Sequence, residues 1–274
     1  MTAIKQLKKR TTMKLTPAQL IDLETQGFLI LPSLFSDQEV DALSAEVAIL
    51  LADACPENAL ESGGKEIRNL HSIHKRSEIF DLLSRHPRLL EPARQILGED
   101  TPLYLQQCKI NLKAPFIGAG YEWHTDFATH HNRDGVPRPL ALNLHVFLDD
   151  VTEFNGPLYF APGSHRMDVP AVKSIDGQDW ELWTIPNDTV RETVNKTGLV
   201  SIKGPRGTGL IFGDLLLHVS GHNVSPWSRR IVSSIVNPVQ NRMTRDNPHA
   251  FQHERDFTPL VTAADDCLLP SATT

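Results

Sequence analysis

Tyr121 to Phe127 is the stretch of the chain richest in chemistry. It carries His124 and Asp126 separated by one residue. On a strand, alternate side chains share a face, so this spacing sets an imidazole beside a carboxylate, two candidate ligands for a metal. A third candidate is His218, which closes the apolar run Leu210 to Leu217. A polar residue ending such a run needs a partner, and a metal ion or a backbone carbonyl would serve. Two histidines, one carboxylate and open positions form the ligand set of non-haem Fe(II) oxygenases. Zinc would more often take a third histidine or a cysteine. Against this, the chain has 12 histidines, so a His-x-Asp pair can arise by chance. Eleven residues after His218 comes Arg229, entering the apolar strand Ile231 to Val236. A guanidinium at the mouth of an apolar barrel calls for an anion, and a carboxylate would bind it through two parallel hydrogen bonds. Its neighbour Arg230 is the candidate for an ordinary surface ion pair.

These residues need a scaffold. From about residue 101 to 240, short apolar segments alternate with Gly, Pro, Asn and Asp, the pattern of an all-β sandwich or barrel. The first hundred residues read as mainly helical, with a short strand over the apolar run Phe28 to Leu31. Thr16 with Gln19, and Ser36 with Glu39, spell capping boxes. Gly27 stops the first helix, and Val40, Leu43, Val47 and Leu50 fall at helical spacing in the second. Residues 56–66 read as a loop, and residues 77–84 and 88–97 as two short helices. Residues 166–200 read as an irregular insertion, and the polar tail after 240 as uninformative. Residues 1–15 read as a disordered extension, leaving 16–274 as a single domain with a helical first part (16–100) and a β core (101–240).

Composition narrows the function. With 27 basic and 33 acidic residues the formal charge is −6, which argues against nucleic acid or an anionic membrane surface as partner. No apolar run approaches the ~20 residues of a membrane span. The three cysteines, Cys55, Cys108 and Cys267, are widely spaced and form no CxxC pair. That fits a reducing compartment, the cytoplasm, and gives no zinc knuckle.

The order His124-x-Asp126, His218, Arg229 resembles the Fe(II)- and 2-oxoglutarate-dependent dioxygenases. The phrases YEWHTDF, RDGVPR, FNGPLYFAPGSHR and HVSGHNVSPWSRR are similar to the phytanoyl-CoA dioxygenase family, over about residues 16–240. Within it they are most similar to bacterial hydroxylases of free amino acids and ectoine. The resemblance implies a mainly β fold with flanking helices, a double-stranded β-helix (jelly-roll, cupin-like) core. It implies Fe(II) on the catalytic ligands His124, Asp126 and His218, and 2-oxoglutarate and dioxygen as cosubstrates. By the same resemblance, Arg229 and Ser220 hold the far carboxylate of 2-oxoglutarate, and Asn111, Lys113 and Tyr121 line its pocket. Gln107 and Arg68 match substrate-contacting positions, and an Arg at 68 is expected to meet a substrate carboxylate. The intact Asp126 implies hydroxylation rather than halogenation.

Two positions depart from the ectoine hydroxylases. His130 stands where they carry a Trp, and Ser233 where they carry an aromatic residue. His130, His131 and Arg68 then suggest a polar pocket, for a small amino acid or derivative other than ectoine. Two alternatives remain open. One is a tailoring hydroxylase of a larger natural product or of a carrier- or CoA-linked acyl group. The other is a non-catalytic cupin-like module binding a metal or small molecule. The sequence leaves the oligomeric state undetermined.

Overall fold

The computed structural model describes residues 14–174, 182–246 and 252–269. Residues 1–13, most of the expected disordered extension, lie outside the described residues. Both capping boxes form, with Thr16 and Ser36 each closed reciprocally by Gln19 and Glu39. They open α1 (Pro17–Gln26) and α2 (Asp37–Ala52), separated by β1 (Phe28–Leu31). Gly27 ends α1 in the left-handed conformation, φ 85°, which a glycine adopts without a steric penalty. Next come β2 (Asn58–Leu60), β3 (Ile67–His71), α3 (Ile73–Arg76), α4 (Glu78–Ser84) and α5 (Pro87–Leu97). The long strand β4 (Leu103–Lys113) leads to β5 (Tyr121–His124), α6 (Asp126–Asp134), β6 (Leu142–Phe147) and β7 (Leu158–Phe160). A hairpin of β8 (Val172–Ser174) and β9 (Leu182–Thr184) precedes α7 (Asn187–Thr197) and β10 (Val200–Ile202). The core closes with β11 (Gly209–Gly213), β12 (His218–Ser220) and β13 (Arg229–Pro238).

Two antiparallel sheets make the double-stranded β-helix. The larger has the order β1-β11-β6-β13-β4-β3-β2 and the smaller β10-β7-β12-β5. Alternation along the large sheet splits its side chains between two cores. Cys108, Ile110, Leu144, Val146, Ile211 and Val232 face out and pack with Val40, Leu43, Val47, Leu83 and Leu90 of the helices. Phe147, Leu210, Phe212 and Ile231 face in and meet Phe160 of the small sheet. The inward face is where polar residues of the large sheet reach the site.

Three expectations are corrected. The first hundred residues hold more strand than expected: besides β1, the strand read at 28–31, β2 and β3 join the large sheet, and β2 lies in the stretch read as a loop. β2 and β3 are too short for a periodic pattern to stand out. The segment 166–200 holds α7, whose Val190 packs with Ile185 and Leu217. Residues 175–181 of that segment lie outside the described ones. The tail is also part of the fold. Backbone N–H groups of Glu254, Leu260 and Ala263 donate to carbonyls of Gln106, Leu103 and Arg85, and Leu268 enters the helix-side core. No helix among the described residues is long and apolar enough to cross a membrane.

Candidate active site

His124 is the last residue of β5 and His218 the first of β12, and the two are paired directly across the small sheet. Asp126 does not sit on the same strand as His124, as its spacing suggests. The strand ends at His124, Thr125 is the helix cap, and Asp126 opens α6. The carboxylate therefore arrives from a helix N-terminus, whose partial positive charge favours an anion. The ligand atoms of the three side chains all lie within 4.8 Å of one another. Among the described residues they are the one cluster of three such groups able to hold an ion. Asp126 Oδ1 lies 3.6 Å from His124 Nε2 and 3.9 Å from His218 Nε2.

The surroundings prepare each ligand. His124 Nδ1 is 2.7 Å from the Glu122 carbonyl and His218 Nδ1 is 2.9 Å from that of Leu216. Each Nδ1 therefore donates to a carbonyl and leaves an Nε2 lone pair facing the common point. Asn143 on β6 donates to Asp126 Oδ2 at 2.8 Å, which leaves Oδ1 for the ion. Burial, aided by the neighbouring His124, pushes the His218 imidazole down to about 4, so it is neutral near pH 7. Burial opposes the charge of Asp126, but His218 and His124 hold its carboxyl well below the usual range. Two imidazoles and a carboxylate suit Fe(II) with positions left open.

A second group of residues lies where β13 and β4 pair. Arg229 and Lys113 are register partners. Arg229 is 2% exposed, its Nε has no hydrogen-bond partner, and no carboxylate among the described residues lies within ion-pair reach. Burial pushes its guanidinium down to about 10. Burial, together with Arg229 and Arg68, pushes the Lys113 ammonium down to about 6, and its Nζ donates to the Ala119 carbonyl. Gly156 makes room for that side chain, since a Cβ there would stand 2.5 Å from Lys113 Cδ. Ser220 Oγ accepts the Tyr121 N–H at 3.2 Å. The Tyr121 hydroxyl donates to Asn69 Oδ1 at 2.7 Å, and Asn69 Nδ2 donates to Asn111 Oδ1 at 2.6 Å. Arg230 forms the expected ion pair, a bidentate one with Asp149 at 2.6 and 2.9 Å. The buried Arg229, matched by no carboxylate among the described residues and paired in register with Lys113, suits this end of the barrel to an anion.

The remaining predicted residues are engaged by the protein itself. The Arg68 guanidinium lies 3.3 Å from Glu61 and 3.0 Å from the Gly120 carbonyl, and stacks 3.9 Å above the Tyr121 ring. Its charge is thus matched by Glu61, and its plane lies over Tyr121. The Gln107 amide donates to the Gln252 carbonyl at 2.7 Å. His130 is buried on α6, one helical turn beyond Asp126, 3.8 Å from Asp214 and edge-on to His253. His131 lies against the Val136 carbonyl. Asn143, Asn69, Glu61 and the tail residues Gln252 and His253 were not foreseen. A signal existed for Asn143, a polar residue inside the apolar run Leu142 to Leu148. None existed for the tail.

Residues 23–231 match the family described as phytanoyl-CoA dioxygenase (PhyH). The chain belongs to the phytanoyl-CoA dioxygenase family. This member is 35% identical over 240 residues to the ectoine dioxygenase of Bordetella bronchiseptica, covering 84% of this chain and 77% of that one. It is 33% identical over 266 residues to the L-proline trans-4-hydroxylase of Streptomyces griseoviridis, covering 92% and 98% respectively. Its fold matches crystal structures of EctD from S. alaskensis. The iron-bound form has a TM-score of 0.80 at 30% identity, covering 91% of this chain and 87% of EctD. The form holding 2-oxoglutarate and 5-hydroxyectoine has a TM-score of 0.78 at 31% identity, covering 88% and 84%.

Proposed function

We propose that this family member is an Fe(II)- and 2-oxoglutarate-dependent hydroxylase acting on an unactivated carbon of a small free amino acid or amino-acid derivative. The observation that carries it is the buried, unpartnered Arg229 beside a ready-made His124–Asp126–His218 cluster. A purely structural cluster would have no use for a buried guanidinium that no carboxylate among the described residues matches. When bound, Fe(II) and 2-oxoglutarate supply dioxygen activation, with succinate and CO2 released and hydroxyl delivered to the substrate. His124, Asp126 and His218 would hold the ion. Arg229 and Ser220 would take the far carboxylate, with Lys113, Asn111 and Tyr121 lining the same pocket. The chain's own groups fix positions: carbonyls orient both imidazoles, and Asn143 orients Asp126.

The substrate class is supported by relatives named for ectoine and L-proline, both small amino-acid derivatives. His130 and Ser233, in place of aromatic residues, favour a substrate other than ectoine. The three cysteines are free, which fits a reducing compartment, the cytoplasm. The test is a screen of free amino acids, ectoine and acyl-CoA thioesters with Fe(II), 2-oxoglutarate and dioxygen. A free amino acid should gain one oxygen with matching succinate. Exclusive turnover of acyl-CoA, or no succinate with any compound, would overturn the proposal.

A further inference from the structure

One crosswise row of the large sheet is left without a role by the assignments above. Lys109 on β4 pairs with Ser233 on β13, and Ser233 pairs with His145 on β6. Their strand neighbours Cys108, Ile110, Val232, Leu144 and Val146 pack outward against the helices, so these three face the barrel interior. On one side, one step of about 7 Å along the strands, lies the row of Gln107, Ile235 and Asn143. Asn143 in that row holds Asp126. On the other side, two steps away, is the pair Lys113 and Arg229. The row thus lies between the metal ligands and the anion receptor.

Two of its members lack partners. His145 is 5% exposed, yet neither ring nitrogen has a hydrogen bond. Its ring only meets the Phe212 ring edge-on, centroids 5.0 Å apart. Buried polar side chains are nearly always bonded, so an imidazole with both nitrogens unpaired on the inward face of the sheet marks a place for a ligand. Lys109 is half-buried and has no hydrogen bond or ion pair among the described residues. The charges of the site then leave a remainder. Arg68 is matched by Glu61, and Arg230 by Asp149. A bound dicarboxylate would engage Arg229 at one end and the metal at the other. Lys109 remains as a charge on the inward face of β4 with no anion opposite it among the described residues.

We propose that Lys109 and His145 seat the carboxylate of the organic substrate, Lys109 by charge and His145 by an N–H donor, across Ser233. This deepens the amino-acid hydroxylase reading and rests on it. It assigns the substrate a free carboxylate and so separates an amino acid from its amide or thioester. Burial pushes the His145 ring down to about 3, so it acts as a neutral donor throughout the working range.

The test uses the full chain loaded with Fe(II) and 2-oxoglutarate. Each amino acid accepted in the screen is compared with its carboxamide, in the wild-type protein and in Lys109→Met, His145→Leu and His145→Asn. The wild type should prefer the acid. Lys109→Met should raise the KM for the amino acid roughly ten- to a hundredfold, with the KM for 2-oxoglutarate within about twofold of wild type. It should also erase most of the acid-over-amide preference. His145→Leu should raise the same KM, and His145→Asn, which keeps a donor, should restore part of it. A rise in the KM for 2-oxoglutarate instead would assign the row to the keto acid and overturn the proposal, as would equal use of acid and amide by the wild type. If no free amino acid is turned over at all, the functional reading fails separately. The row is then read by anaerobic calorimetry with acetate: the 2-oxoglutarate-saturated wild type should bind it more tightly than Lys109→Met, and equal binding overturns the proposal.

Discussion

The two ends of the site are built on opposite plans. At the anion receptor, the buried Arg229 and the Lys113 amine beside it are matched by no carboxylate among the described residues. At the far end, charged groups of α6 and the tail are paired with one another. Asp126, His130 and Asp134 recur every four residues and share one face of α6. Asp134 is paired with His253, Arg133 and Arg255. Arg133 also donates to Gln252 Oε1 at 3.0 Å, and Gln252 in turn receives the Gln107 amide on its backbone carbonyl. Polar groups left open wait for a ligand, whereas polar groups closed on one another hold a wall in place. Substitutions at the first end should change ligand affinity, and substitutions at the second should change stability.

The largest expected effect lies at the metal cluster. Alanine at His124, Asp126 or His218 should abolish iron-dependent succinate formation while the melting temperature of the metal-free protein stays close to wild type. Full activity in His218→Ala with loss in His222→Ala would move the third ligand to His222, which lies against the Phe116 carbonyl. Next comes the tail. Asp134→Ala strands three buried or half-buried basic partners and should cost about 3–5 kcal/mol in denaturant unfolding. Loss of turnover at unchanged stability would contradict the division drawn here.

The pH dependence tests the same division. His145 and His253 are pushed by burial down to about 3, His218 to about 4, and His71 well below its ordinary 6.5. Each binds its proton more weakly when folded than when unfolded. Their contribution is therefore complete above pH 6.5 and is lost as pH falls toward 3. Asp214, raised by burial to about 6, acts in the opposite direction but is a single group. The metal-free protein should lose stability from pH 7 to 5, and His253→Gln should flatten that slope. The smallest effect concerns Arg68. Removing its stack on Tyr121 in Arg68→Ala should raise the KM for 2-oxoglutarate about tenfold or less and leave that of the substrate near wild type. The reverse pattern would return Arg68 to the substrate.

Legibility in the sequence follows the same line. The order of His124, Asp126, His218 and Arg229 is carried by residue types and short spacings, and both capping boxes are local in the chain. The break at Thr125 was hidden, because its side chain makes no cap hydrogen bond and a strand reading fits the same residues. The tail partners of Gln107 and Asp134, Gln252 and His253, lie more than a hundred residues away, in a polar tail with no periodicity. Such contacts arise from tertiary packing and leave no local trace.

The most direct measurement is anaerobic calorimetric titration of 2-oxoglutarate into the Fe(II)-loaded protein, comparing wild type, Arg229→Lys and Arg230→Lys. Replacing the fork of Arg229 by a point charge should weaken binding by about 1.5–3 kcal/mol, roughly ten- to a hundredfold. Arg230→Lys should bind as wild type, since its partner is Asp149. Unchanged affinity in Arg229→Lys would contradict the assignment of that end of the barrel to the cosubstrate.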